Sequence, residues 1–341
     1  MITLRDLLAP YVSTVEEAMR EMVPPLEAHP SFWGQLHYHL GWANANYEPE
    51  RHPSGKRVRA AFCLMSCEAL GGGVERAIPA AVAVELLHEF SLIHDDIEDG
   101  DRARRHRPTL WTVIGQPQAI NAGDSLFALA QHALLRSTEQ GIPAETVLHA
   151  QARFNEAALA LCFGQHLDMS FEQREVVTPS DYLEMIRGKT AALLAHAGEV
   201  GALMAEADEA STRALYEMGE ALGLGFQMQD DLLGLWGDPQ RTGKPVGADI
   251  RAKKKSLPVA HALSQPNSDR LRQIYRSAID TDEQVTEARQ LIEATGAREY
   301  VTRLAQQQTD RALQMLTRIN APPERLEPLR QLVELLTHRS Y

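Results

Sequence analysis

Cysteine is scarce: Cys63, Cys67 and Cys162 are the only three in 341 residues. An odd set at these spacings excludes a disulfide framework and a thiolate zinc site. Cys63 and Cys67 stand four apart, so they share a helix face and read as buried packing. No run of about 18 apolar residues occurs, which excludes a membrane-spanning helix. The most apolar stretch, Ile78 to Leu87, is short and carries Glu85. The start, Met1-Ile2-Thr3-Leu4-Arg5-Asp6, lacks the basic-then-apolar order of a signal peptide, and a cytoplasmic protein is expected. Basic charge is the minority sign. With 34 Lys+Arg against 46 Asp+Glu, the net charge is −12, the wrong sign for a nucleic-acid binder. Alternating β-branched runs joined by hairpin dipeptides are missing too, so strands are not expected.

What is present is a globular balance, 44% hydrophobic and 23% charged. Helical periodicity dominates, and Gly and Pro mark the ends. Ser13 or Thr14 is expected to cap a helix that runs to Met22, before Pro24-Pro25. A second helix is expected from Ser31 to about Asn46. A third starts near Lys56 and stops at Gly71-Gly72-Gly73. A fourth begins around Ala77 with Pro79 in its first turn and runs through an acidic cluster. Further helices are expected over 118–138, 144–172, 180–206, 209–236, 256–264, 268–278, 283–295, 297–319 and 323–338, with a good start signal at Thr178-Pro179-Ser180-Asp181. No repeat and no linker divides the chain. One all-α domain over 1–341, with ten or more helices, is the natural reading.

The acids are concentrated. The densest cluster is His94-Asp95-Asp96-Ile97-Glu98-Asp99-Gly100-Asp101. On a helix, Asp95 and Asp99 lie about 40° apart and about 6 Å along the axis, so both carboxylates face one way. Like charges at that spacing repel, which calls for a cation. Oxygen-only ligands on a helix suit Mg²⁺ with substrate phosphates. His88 shares the face one heptad earlier. A second cluster, Phe226-Gln227-Met228-Gln229-Asp230-Asp231, follows about 135 residues on, in an apolar helix. Cations stand apart from the acids: Gly55-Lys56-Arg57-Val58-Arg59, Arg104-Arg105, Gly188-Lys189-Thr190, Thr242-Gly243-Lys244 and Lys253-Lys254-Lys255. Arginine forks and lysine point charges suit diphosphate recognition.

In this order, together with Gly123-Asp124, Gly164-Gln165 and Lys254-Lys255-Ser256-Leu257-Pro258, these elements resemble the trans-isoprenyl diphosphate synthases. These are the farnesyl and geranylgeranyl diphosphate synthase family, and the match covers most of the chain. The resemblance implies the isoprenoid synthase fold, antiparallel helices around a deep central cavity, in a homodimer. It implies that Asp95 and Asp99 coordinate Mg²⁺ on an allylic diphosphate, with Asp230 holding another ion from the opposite side, three ions in all; Asp231 is counted with the metal ligands. It assigns Arg104, Lys189, Lys244 and Lys254 to the allylic diphosphate, and Lys56, Arg59, His88 and Arg105 to isopentenyl diphosphate. Gln227 and Thr190 would lie near the developing carbocation, and released diphosphate would take the proton. The chain departs from the family in two places: Gly234 stands where many members have a third acid, and His106 where glycine is commoner.

Chain length can be read from the turn before Asp95. Ser91 lies on the same face about 6 Å deeper and leaves the cavity open, while Phe90 lies about 140° away and narrows it only from the side. A twenty-carbon product, geranylgeranyl diphosphate, is expected ahead of fifteen-carbon farnesyl diphosphate. Three rivals compete: an HD-type metal phosphohydrolase built on His94-Asp95, a terpene cyclase, and a non-catalytic partner subunit. The first leaves the basic motifs unexplained. The second needs a different metal triad. The third would have lost an Asp cluster.

Overall fold

The computed structural model describes residues 2–52, 55–237 and 247–337. Regular structure there is helical apart from one small hairpin. Helix α1 (Leu4–Met22) starts well before the expected cap. Thr3 and Asp6 form a capping box, the Thr3 hydroxyl accepting from the Asp6 N–H and the Asp6 carboxylate from the Thr3 N–H. Ser13 and Thr14 instead donate back to the Pro10 carbonyl at 2.9 and 3.1 Å, inside the helix. Helix α2 (Pro30–His39) stops short of Asn46, at a left-handed Gly41. Helix α3 (Val58–Ala69) is preceded by a left-handed Arg57 (φ 51°), so Lys56 lies before the helix rather than in its first turn.

Helix α4 (Val74–Glu98) begins after Gly73, a turn earlier than expected, which places Pro79 inside it. Asp99 is its C-cap and Gly100 is left-handed (φ 68°), so the helix ends within the acidic cluster. The chain then makes an unexpected antiparallel hairpin, β1 (Ala103–Arg104) with β2 (Arg107–Pro108). Its two-residue turn is Arg105-His106, with φ of 52° and 62°. That is the positive-φ pair a tight hairpin turn demands, and it explains why glycine is commoner at position 106.

Helices α5 (Leu110–Ile114), α6 (Gln116–Leu135), α7 (Ala144–Gln173) and α8 (Pro179–Ile186) follow. Thr178 caps α8 with Asp181 in a second capping box. The single helix expected over 180–206 is broken by one π-helical turn, Arg187–Ala191, before α9 (Ala192–Met204). Helix α10 (Glu209–Trp236) carries the second acidic motif. Helices α11 (Ala248–Arg251), α12 (Leu257–Leu263), α13 (Asp269–Arg276), α14 (Asp282–Ala294), α15 (Ala297–Met315) and α16 (Pro323–Thr337) complete the chain.

Two compact units emerge: residues 1–158, 196–216 and 318–329 in the first, and 159–195, 217–317 and 330–341 in the second. Neither is one contiguous stretch. In the first unit, α4 packs against α1, α3 and α6. Its Leu86, Leu87 and Ile93 are buried, as are Cys63 and Cys67 of α3. By length and composition α4 could cross a membrane, but most of its apolar stretch is buried inside the protein. It is a core helix that also carries Glu85, Glu89, Asp95 and Asp96. In the second unit, one apolar cluster joins Tyr182, Ile186, Leu224, Met228 and Leu257, and another joins Leu235, Ile250, Val259 and Ile292.

Candidate active site

In the first unit, the end of α4 splits its adjacent aspartates. Asp95 keeps 18% of its side chain exposed and Asp99 is exposed at the C-cap, so both reach solvent from one helix end. Asp96, one residue and about 100° round, is 2% exposed. Burial pushes its carboxyl above the usual range, opposed by Arg104. The Arg104 Nε donates to Asp96 at 2.6 Å and its Nη2 to Asp95 at 3.0 Å. The cation assigned to the allylic diphosphate thus lies on a predicted metal ligand, because β1 turns straight back over the last turn of α4.

The residues expected to take isopentenyl diphosphate gather around the middle of α4. Arg59 of α3 lies 3.2 Å from His88. Burial and the neighbouring Arg59 push the His88 ring well below the usual histidine range, so it is neutral and accepts from the guanidinium. Arg105, on the hairpin turn, reaches Glu89 at 3.4 Å. Its Nη2 would lie 2.9 Å from a Cβ on Gly55, which gives the glycine of the Gly55-Lys56 motif a steric reason. Lys56 is exposed.

At the deeper turn, the Ser91 hydroxyl donates to the His88 carbonyl at 2.7 Å. Phe90 packs against His94 and Phe127, with ring centroids 4.7 and 5.3 Å apart. Gly123 makes room for His94, since a Cβ there would lie 2.4 Å from its Nε2. This accounts for Gly123 by packing.

In the second unit, the second Asp pair is split in the same way. Asp230 is exposed. Asp231 is 4% exposed and its two oxygens accept three bonds: from Tyr182 Oη at 2.9 Å, Gln227 Nε2 at 3.1 Å and the Leu257 N–H at 3.0 Å. Burial pushes its carboxyl up to about 7 against the pull of those donors. Asp231 caps the start of α12; its surroundings are those of an anchor, which does not fit the metal role assigned to it. Gln227 also accepts from the Thr190 hydroxyl at 3.1 Å, so Thr190, Gln227, Asp231 and Tyr182 form one chain of bonds.

Lys189 meets Asp168 at 2.6 Å. Its π-helical turn crosses α7 at two glycines. A Cβ on Gly164 would lie 2.0 Å from the Lys189 nitrogen, and one on Gly188 would lie 2.5 Å from the Ala160 carbonyl. Gly164 and Gly188 therefore let two backbones touch, and the contact brings Asp168 onto Lys189. In the sequence Asp168 is marked only by its place one turn after Gly164. Beside Gly234, the space of the missing side chain holds the Asp249 carboxylate, 2.0 Å from an ideal Cβ. Lys254 is exposed, whereas Lys255 donates to the Phe171 and Arg174 carbonyls at the end of α7. Lys244 lies outside the described residues.

Among the described residues, no group of three or more His, Cys, Asp or Glu converges as a protein-only metal cage. The accessible donors, Asp95, Asp99 and Asp230, are hard carboxylate oxygens. Within the first unit, Asp95 and Asp99 suit a cation that takes one or two carboxylates and completes its shell with phosphate and water, which is the habit of Mg²⁺.

The polyprenyl synthetase family profile matches residues 42–292. The chain is 37% identical over 332 residues to a (2E,6E)-farnesyl diphosphate synthase of Mycobacterium tuberculosis, covering 95% of this chain and 90% of the relative. It is 41% identical over 299 residues to a geranylgeranyl diphosphate synthase of the same species, covering 87% and 84%. Among solved structures, a polyprenyl synthetase from Streptomyces coelicolor superposes with a TM-score of 0.90 at 39% identity, covering 97% and 98%. A geranylgeranyl pyrophosphate synthetase from Pyrococcus horikoshii superposes at 0.88 and 34%, covering 98% and 99%. The fold is the isoprenoid synthase fold. The chain belongs to the polyprenyl synthetase family, whose members are prenyltransferases.

Proposed function

We propose that this prenyltransferase condenses isopentenyl diphosphate with an allylic diphosphate in a Mg²⁺-dependent step, and that its main product is geranylgeranyl diphosphate. The observation that carries the reading is the first unit's pairing of chemistries on one helix. Asp95 and Asp99 end α4, while Arg59, His88 and Arg105 gather two turns before.

Asp95, Asp99 and Asp230 would hold Mg²⁺, which when bound neutralises the charge that develops on the diphosphate as the allylic C–O bond breaks. Arg104 sits between Asp95 and Asp96, where it can turn from carboxylate to phosphate oxygen without leaving the cluster. In the second unit, Lys189, oriented by Asp168, is a further cation suited to a diphosphate. Gln227 carries a carbonyl oxygen fixed by Thr190, a dipole suited to a nearby positive carbon. Arg59, Arg105 and Lys56 bind the diphosphate of isopentenyl diphosphate, and neutral His88 keeps Arg59 pointed.

The product assignment rests on Ser91, whose hydroxyl is turned back onto the helix, and on Phe90, which is packed sideways on Phe127. Homologues carry the names of farnesyl, geranylgeranyl and geranylfarnesyl synthases, so product length varies among relatives. The proposal extends to a cytoplasmic homodimer. Leu148, Leu159 and Phe163 of α7 are 67%, 70% and 51% exposed, and a second copy would cover them.

Incubation with Mg²⁺, isopentenyl diphosphate and each of the dimethylallyl, geranyl and farnesyl primers tests the reading, with products identified by mass. A twenty-carbon diphosphate is expected, and Ser91→Phe should shift the product to fifteen carbons. No condensation with any primer overturns the reading. An unchanged product length in Ser91→Phe overturns the length assignment alone.

A further inference from the structure

Glu89 stands one residue after His88 and is fully buried. Its Oε1 accepts from Arg57 Nη1 and faces both Nη atoms of Arg105 at 3.4 Å; its Oε2 lies 2.9 Å from His39 Nε2. Arg57 is itself 2% exposed and left-handed, and it sits between Lys56 and Arg59. Its Nε meets Glu16 at 2.7 Å and its Nη1 meets Glu85 at 2.9 Å. Gly55 leaves room for the Arg105 guanidinium. The segment before α3, the hairpin turn and the end of α2 therefore meet at one carboxylate of α4.

The electrostatics need that carboxylate. Arg57, Arg59 and Arg105 all bear on His88, and three like charges so placed repel. Burial opposes an ionised Glu89, but Arg57, the His39 bond and Arg105 hold it well below the usual carboxylate range. A buried charge of this kind is costly to leave unpaired, so its partners are fixed in place.

We propose that Glu89 is a positioning residue for isopentenyl diphosphate: it holds Arg105 directly, and the Lys56–Arg59 segment through Arg57, in the arrangement that grips that diphosphate. The inference rests on the condensation reading above. It separates the two substrates, because the partners Glu89 holds are Arg57, Arg105 and His39, on the isopentenyl diphosphate side.

Steady-state kinetics with Mg²⁺ and both substrates, together with calorimetric binding of isopentenyl diphosphate, tests it. In Glu89→Gln the KM and Kd for isopentenyl diphosphate rise about tenfold, with kcat and the allylic KM within about twofold. The double variant Glu89→Gln/Arg105→Gln binds no more weakly than Arg105→Gln alone, because both act through one contact. Glu89→Asp gives a smaller rise in the same parameter and carries the test if the amide variant does not fold. An unchanged KM for isopentenyl diphosphate, an equal loss on both substrates, or additive effects overturns the proposal while leaving an active wild type. Insolubility of both Glu89 variants assigns the residue to the fold and also overturns it. A wild-type chain that neither condenses nor binds isopentenyl diphosphate overturns the condensation reading itself.

Discussion

The two aspartate pairs share a sequence pattern and differ in how the inward member is kept. In the first unit, buried Asp96 is held by a cation, Arg104 at 2.6 Å, which also reaches its neighbour Asp95. In the second, buried Asp231 is held by neutral donors, a phenol, an amide and a backbone N–H, with no cation among them. The first arrangement is ionic, one guanidinium shared between two carboxylates. The second is a bracket between α10 and α12 that keeps Asp231 inside while Asp230 is exposed. A doubled aspartate on a helix is thus one outward group and one anchor, separated by about 100° of rotation.

The largest effects should fall on the outward members. Asp95→Ala and Asp230→Ala are expected to lower kcat by about 10²–10³-fold or more, with thermal midpoints within a degree or two of wild type. A loss of folding in Asp230→Ala would break the comparison, because it would make the second pair structural throughout. Next comes Asp231→Asn, which puts an N–H₂ against one or two of the three donors. A stability loss of about 1–3 kcal/mol is expected by denaturant titration. An unperturbed midpoint would show that the bracket holds nothing.

Gly234→Asp sharpens the contrast further. Its Cβ would fall 2.0 Å from the Asp249 carboxylate, so Asp249 must swing away from a like charge. A loss of about 1 kcal/mol is expected, relieved when Asp249→Ala is added; additivity of the two changes would refute the contact. The smallest effect concerns pH. Glu89 has its carboxyl lowered in the folded state, so its stabilisation is full above about pH 4.5, its ordinary value, and is lost as pH falls through the depressed one. Thermal midpoints measured from pH 5 down to 3 should fall more steeply for wild type than for Glu89→Gln. Parallel curves would mean that the first unit's buried anion is not ionised.

Much of the helical order was legible because helix formation is local. The spans expected over 144–172 and 209–236 follow from periodicity and breakers alone and lie within a residue of α7 and α10, and the capping box at Thr178 follows from four consecutive residues. The Asp95–Asp99 spacing was legible for the same reason. Other features depended on distant neighbours. The π-helical turn at Arg187–Ala191 exists because α7 presses on it at Gly164, a contact that no window around residue 188 contains. Thr3 outcompeted Ser13 and Thr14 as a cap because those hydroxyls found a carbonyl within the helix. The hairpin at Arg105-His106 carries none of the usual turn residues and forms against the end of α4.

By itself, then, the amino-acid order determined a predominantly helical protein and where its charged residue types cluster: carboxylates at the two acidic motifs and guanidiniums and ammoniums apart from them. These are properties of short segments, set by a repeat of about 3.6 residues and by side-chain charge. Only the tertiary structure decided which aspartate of each pair faces outward, that Arg57 is a buried tie and Arg59 a partner of His88, and that Asp168 orients Lys189. Those outcomes turn on burial and on contacts between residues far apart in the chain, where desolvation makes each carboxylate find a donor or a cation before it can be enclosed.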